Sequence, residues 1–163
     1  MARQPEEGEA KFPRLLSRFA SRRWGRWVSA TFFTPADKLV FRLTRGRRGL
    51  SPRKTVLLLT TTGRKTGQPR QVPILYLRDL ERIWVMASNY GRERHPAWSG
   101  NLLANPDAVI RIGEEEQRVR ARLASEDEKR ELWPRLVKLY PAWEAYAGWT
   151  DRNFRLFCLE PRP

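Results

Sequence analysis

The sequence predicts an α+β fold: a barrel of about six mainly antiparallel strands, with flanking helices and a helical arm ahead of it. Three observations lead there. Six short segments are rich in β-branched and leucine residues. The links between the early ones are too short for parallel crossovers. Helical patterns fall between some strands rather than between all of them, as an alternating α/β sheet would require.

The arm comes first. Residues 1–11 hold Glu6, Glu7 and Glu9 with almost nothing to bury, and read as disordered. From Phe12 the spacing is helical, with Phe12, Leu15, Leu16 and Phe19 on one face and Arg14, Arg18 and Arg22 mostly elsewhere. Pro13 suits a first turn. The stripe then degrades at Arg23, Gly25 and Arg26, while Trp24, Trp27, Phe32 and Phe33 keep the segment aromatic. A basic helix over residues 12–33 fits an anionic membrane surface. It fits equally well against the barrel or a partner subunit, with its arginines in water. A second short helix over residues 36–43 and a loop over residues 46–49 complete an arm spanning residues 12–49. The barrel domain follows over residues 50–163.

Residues 55–62 form a nearly continuous β-branched and leucine run, as expected of a strand buried on both faces. Gly63, Gly67 and Pro69 break it. Strands follow over residues 71–77 and 83–87, joined by a hairpin loop at Asp79, Leu80 and Glu81. After a loop over residues 89–94, a short helix over residues 96–104 stops at Asn105 and Pro106. Strands over residues 108–112 and 117–123 meet around Gly113. Ser125, with Glu128 three residues on, makes a capping box opening a helix to about Leu139. Tyr140 and Pro141 end that helix, a short aromatic helix runs through Trp149, and a strand over residues 155–159 closes the fold.

A chain of 163 residues suits one domain and one site. The single Cys158 and single His95 are too few for a disulfide framework or an ordinary zinc centre, so no metal is expected. The formal charge is +14, which favours an anionic ligand, anionic lipid or nucleic acid. Residues 1–54 hold 14 of the 32 Lys and Arg against 4 of the 18 Asp and Glu, so most of the excess lies on the arm. The remainder is only modestly basic and carries no nucleic-acid motif, which ranks nucleic acid last. No run reaches the 18 to 20 apolar residues of a membrane span, and the start lacks the features of a signal peptide. The expected place is the cytoplasm, with the arm able to hold the protein against the inner face of the plasma membrane.

Three constellations could carry chemistry. Residues 60–70 bring Arg64, Lys65 and Arg70 together with hydroxyls and two glycines on one strand-to-strand turn. Such a turn can aim amides and guanidinium forks at phosphate or carboxylate, or be a solvated hairpin. Residues 87–91, followed by His95, Trp98 and Asn101, make a small-residue strand end that a planar ligand can approach closely. The plainer reading makes His95 a capping or packing residue and Trp98 a core anchor. Tyr140, Trp143, Tyr146 and Trp149 recur every three residues along a predicted helix, as pocket wall or as core. Glu114, Glu115 and Glu116 read as solvated charge in a hairpin turn. With neither a hydrolase triad nor a thiol site legible, the chemistry is expected to come from a cofactor.

The string Leu57-Leu58-Leu59-Thr60-Thr61-Thr62-Gly63-Arg64-Lys65-Thr66-Gly67-Gln68-Pro69-Arg70 resembles the signature of the deazaflavin-dependent nitroreductase family. So do Pro73 to Arg78, Ala87-Ser88-Asn89, His95-Pro96-Ala97-Trp98, Asn101-Leu102 and Trp149-Thr150-Asp151-Arg152, in order. The resemblance implies a split β-barrel related to flavin-mononucleotide-binding oxidoreductases. It also implies hydride transfer from reduced coenzyme F420 to a quinone or nitro-aromatic acceptor.

By the same resemblance Arg64, Lys65, Thr66, Arg70, Pro73, Ala87, Ser88, Asn89 and Trp98 hold the coenzyme, the basic turn taking its phosphate and oligoglutamate tail. Tyr140, Trp143 and Tyr146 line the acceptor pocket, with Tyr140, Tyr146 and Ser88 as the catalytic candidates. Trp143 stands where the family archetype has a tyrosine and brings no hydroxyl. Tyr90 and the Ser99-Gly100 pair also depart from the family pattern. Flavin mononucleotide is the less suited cofactor, since the charge favours the more anionic coenzyme. A non-catalytic carrier of coenzyme or fatty acid in the same fold is the competing reading.

Overall fold

Strand order in the computed structural model, which describes residues 56–162, is β1-β2-β3-β6-β5-β4, closed into a barrel with every neighbouring pair antiparallel. The strands are β1 (Val56–Thr62), β2 (Pro69–Asp79), β3 (Arg82–Ala87), β4 (Asp107–Ile112), β5 (Glu115–Leu123) and β6 (Arg155–Pro161). Helix α1 (Ala97–Ala104) follows a 3-10 turn at Asn89–Gly91, and α2 (Glu126–Leu139) and α3 (Ala142–Ala147) lie between β5 and β6. The arm expected over residues 12–49 and the disordered start lie outside the described residues. Among those described, no helix is long and apolar enough to cross a membrane.

Period-two alternation divides the apolar residues between two cores. Leu57 and Leu59 of β1, Ile83 and Val85 of β3, and Phe157 and Leu159 of β6 fill the barrel, with Trp98 and Leu102 of α1 packed among them. The intervening residues of β3 and β6, Trp84, Met86, Leu156 and Cys158, face outward and are covered by Leu132 and Leu136 of α2 and by Trp143 and Tyr146 of α3. Both strands are therefore apolar on both faces, which hides their period from the sequence. In β1 the outward Leu58 is buried as well, as its unbroken run predicts.

Several strand boundaries differ from expectation, most of all in β2 and β5. Strand β2 begins at Pro69 and ends at Asp79, because Pro69 and Arg70 pair with Thr62 and Thr61, and Asp79 pairs with Arg82. Glu115 and Glu116 belong to β5, opposite Ile112 and Arg111, and not to the turn. Gly113, at φ +62°, lets two residues make that hairpin, so the ladder starts one residue after Glu114.

Helix α2 starts as predicted: Ser125 Oγ accepts from the Glu128 amide at 3.1 Å, and the Glu128 carboxylate accepts from the Ser125 amide at 2.8 Å. The same carboxylate takes two bonds from Arg122 at 2.7 and 2.8 Å, and Arg122 also reaches Glu160 at 3.0 Å. These bonds, Arg122 first, hold the Glu128 carboxyl down at about 2 against an ordinary value of 4.5. A lowered carboxyl stabilises the fold fully above its unfolded value, and the contribution disappears as pH falls through the folded one. In urea melts Glu128→Gln is expected to cost about 1 kcal/mol at pH 7, after discounting for solvent. The gap to wild type should shrink between pH 4.5 and 2; an unchanged gap would remove the charge pair from the account.

Candidate functional site

The basic turn joins β1 to β2 and is shaped by its own backbone. Gly67 N–H donates to the Gly63 carbonyl at 2.7 Å, Gly63 N–H to the Gln68 carbonyl at 2.8 Å, and Thr66 Oγ1 accepts from the Gln68 amide at 3.3 Å. Gly67 takes φ +68°, a left-handed conformation that favours glycine. Thr66 thus spends its hydroxyl as an acceptor on the turn itself. Arg64, Lys65 and Arg70 stand exposed, and none of the three pairs with a carboxylate among the described residues. Three cations on one turn, with no partner carboxylate among the described residues, suit a polyanionic ligand.

The turn is fastened to α1. Asn101, buried, accepts from the Arg64 amide through Oδ1 at 3.1 Å and donates through Nδ2 to Thr61 Oγ1 at 3.0 Å. The Arg64 guanidinium lies over Gly100, about where a β-carbon would come within 3.5 Å of it. A β-carbon at Gly100 would be in ordinary van der Waals contact with the guanidinium, so α1 packs directly under that side chain. The preceding Ser99 receives a bond from Arg155 at 3.4 Å, and Arg155 pairs with Ala87 at the end of β3.

Ala87 opens the second part of the site. Its side chain is in the barrel core, and its carbonyl accepts from Arg152 Nη1 at 3.1 Å. Ser88 and Asn89 are half-buried. Asn89 Nδ2 donates to the Arg94 carbonyl at 2.7 Å and closes the loop on itself. Asn89, Tyr90 and Gly91 have φ of 48°, 56° and 68°, a left-handed run costly for the first two residues. A β-carbon on Gly91 would meet the Tyr146 carbonyl oxygen at 3.0 Å and the Tyr146 Cα at 3.2 Å. The loop thus lies directly on the backbone of α3.

His95 accepts at Nδ1 from Arg152 Nη1, 2.8 Å away. Arginine has only donors, so the imidazole proton sits on Nε2. Burial, then the charges of Arg152 and Arg155, lower the His95 pKa, and the ring is neutral at neutral pH. It is neither a helix cap nor a core filler.

The third part gathers around Tyr146. Its ring lies 6.2 Å from Tyr90, 6.1 Å from Tyr140 and 5.3 Å from Trp149, and Trp143 meets Tyr140 at 5.5 Å. The aromatic residues do not share one helix as predicted. Tyr140 is the extended residue that ends α2, while Trp143 and Tyr146 belong to α3, because the Tyr140-Pro141 corner breaks the helical run. All three are core residues, with 8%, 4% and 1% of their surface exposed. The break brings the Tyr140 and Tyr146 hydroxyls within 3.1 Å of each other. Burial, with a lesser contribution from Tyr90 and against the Tyr146 bond, pushes the Tyr140 phenol up to about 12.

The structure joins the basic turn to the loop through α1 and Arg155, and joins the loop to the tyrosines through Tyr90 and Gly91. Two expected coenzyme residues stand apart. Trp98 is packed inside the barrel against Phe157, with ring centres 5.8 Å apart, as the core-anchor alternative has it. Pro73 lies mid-strand in β2, opposite Leu58. Arg152 was legible only as part of a motif: nothing in an isolated arginine after α3 announces that it reaches back about 60 positions to the loop.

A family model described as F420H(2)-dependent quinone reductase matches residues 37–161. A Mycobacterium tuberculosis protein provisionally named as such a reductase is 41% identical over 118 residues, covering 71% of this chain and 99% of that one. A second protein of that organism, named F420H(2)-dependent quinone reductase, is 43% identical over 76 residues, covering 45% of this chain and 51% of that one. Among solved structures, an F420-H2 dependent reductase superposes with a TM-score of 0.61 at 31% identity, covering 66% of this chain and 95% of that one.

Proposed function

Because the chain belongs to the F420H(2)-dependent quinone reductase family, an oxidoreductase family that works with coenzyme F420, we propose that it reduces a quinone-type acceptor where the loop over residues 87–95 meets α3. When bound, the reduced coenzyme supplies the hydride. The observation that carries the placement is the basic turn, which no described carboxylate neutralises, linked through α1 and Arg155 to a backbone loop that abuts a pair of buried phenols.

Arg64, Lys65 and Arg70 fit the coenzyme's phosphate and carboxylate tail by charge and exposure. Ser88 and Asn89 fit the edge of a planar ring, since the left-handed turn brings backbone to the surface there. Tyr140, its phenol raised by burial, keeps its proton at neutral pH, and with Tyr146 it stands as a donor to an acceptor oxygen; Trp143 contributes shape only. Holding the acceptor against the ring and excluding water are the remaining contributions of the protein. Nitro-aromatic acceptors belong to the same proposal, although the missing hydroxyl at Trp143 narrows them. A lipid-soluble quinone would also give the basic, aromatic residues 12–33 a reason to lie on a membrane.

The test is oxidation of reduced coenzyme F420 by menadione, followed by recovery of deazaflavin absorbance. Wild type should turn over, and Arg64→Ala/Lys65→Ala should raise KM for the coenzyme at least tenfold with an unchanged melting temperature. Tight binding without turnover would move the reading to the carrier, and no binding would remove it.

A further inference from the structure

Arg152 makes more specific contacts to the loop than any other described side chain outside it. Nη1 donates to the Ala87 carbonyl at 3.1 Å and reaches His95 Nδ1 at 2.8 Å; Nη2 donates to the Ser88 carbonyl at 2.5 Å, and Nε to the Arg92 carbonyl at 3.0 Å. The guanidinium also lies 4.7 Å from the centre of the Phe154 ring, and no carboxylate pairs with it among the described residues. An arginine used only to neutralise a charge would face an acid. This one faces three carbonyls and a neutral ring.

We propose that Arg152 is the positioning residue of the coenzyme loop. One guanidinium collects the carbonyls of residues 87, 88 and 92 on a single side and fixes which way the ring-facing backbone is turned. The proposal rests on the coenzyme reading given above. The peptides are all trans, so each captured carbonyl turns the following amide away from the guanidinium. The N–H groups of Ser88, Asn89 and Glu93 are thereby directed away from Arg152. The planar fork has the shape to span several acceptors at once, which a lysine ammonium at one point cannot do. His95, locked with its proton on Nε2, prevents the fork from rotating. Captured carbonyls on one side and the Gly91 contact with α3 on the other leave the left-handed turn at residues 89–91 one resting place. The Ala87 backbone is also set by the pairing of β3 with β6, but without Arg152 nothing described would hold the Arg92 carbonyl in its direction.

Arg152→Lys keeps the charge and removes the fork. Full-length wild type, Arg152→Lys and His95→Gln would be compared by amide hydrogen exchange without coenzyme, and by fluorescence titration with oxidised coenzyme F420. In Arg152→Lys the expected result is at least tenfold faster exchange confined to residues 88–94, and at least tenfold weaker binding. KM for menadione should stay within twofold. His95→Gln, whose amide oxygen can still accept, should fall between the two and remains interpretable if Arg152→Lys does not fold. Wild-type exchange in both variants, or faster exchange with undiminished affinity, would overturn the proposal. Faster exchange in the variants with no coenzyme binding by wild type would uphold the hold of Arg152 on the loop and refute the coenzyme reading instead.

Discussion

Gly91→Ala should lower the melting temperature by roughly 10 °C and abolish measurable reduction of an acceptor. Two effects combine. At φ +68° an alanine pays about 1–2 kcal/mol for the left-handed conformation. Its methyl would also enter at 3.0 Å from the Tyr146 carbonyl oxygen. That neighbour is backbone inside α3 and cannot swing away as a side chain would, so the loop or the helix must move. Either movement separates the proposed ring site from the Tyr140 and Tyr146 phenols, and small displacements of reacting groups are costly. Thermal melts and coenzyme F420 turnover measured side by side check this. A variant with wild-type melting and turnover would show that the contact is easily relieved. Gly67→Ala is the useful comparison: it shares φ +68° but has open space where its β-carbon would go, so it should show the conformational cost alone.

Asn101→Leu carries the second large effect. The substitution keeps the volume but removes both bonds of a buried amide, leaving the Arg64 amide without its acceptor and the buried Thr61 hydroxyl with only a 3.5 Å contact to the Arg70 carbonyl. Orphaning such groups costs about 2–4 kcal/mol in total. The same change unfastens the basic turn from α1, so affinity for the coenzyme should fall about tenfold beyond what the stability loss explains, equivalent to about 1.4 kcal/mol. Asn101→Asp retains an acceptor for Arg64 and for the Thr61 hydroxyl and should lose less stability. Urea unfolding and coenzyme titration on the three proteins separate these outcomes, and equal affinity in all three would mean that the turn holds its shape unaided.

Much of this architecture was legible before the structure. The antiparallel meander followed from short glycine- and proline-marked links, and the start of α2 from Ser125 and Glu128, because local rules decide both. The charge on the turn was equally readable. The bonds that give that charge a position were not, since Asn101 meets Arg64 from 37 residues away and Arg152 meets Ala87 from 65. Trp98 shows the complementary difficulty. Its place on a helix face was readable, yet whether an aromatic ring stands in a pocket or in a core depends on what the barrel brings over it. Residues β3 and β6 share, such as Trp84 and Cys158, were hard to assign for a related reason: strands apolar on both sides carry no alternation to read.

Barrel closure also bears on how the molecule comes into being. The ring is completed by pairings between strands far apart in the chain, β1 against β4 and β3 against β6 at about 50 and 70 positions, with β5 against β6 across α2 and α3. Contacts so distant along the chain make the search for the native state slow, on the millisecond-to-second scale of β-rich domains rather than the microseconds of helical bundles. On the ribosome, Leu57, Leu58 and Leu59 emerge with β2 as a partner on one edge and must wait for β4 on the other. That interval is the period in which a leucine-rich strand can pair with a neighbouring nascent chain, and it ends once β4 has been made.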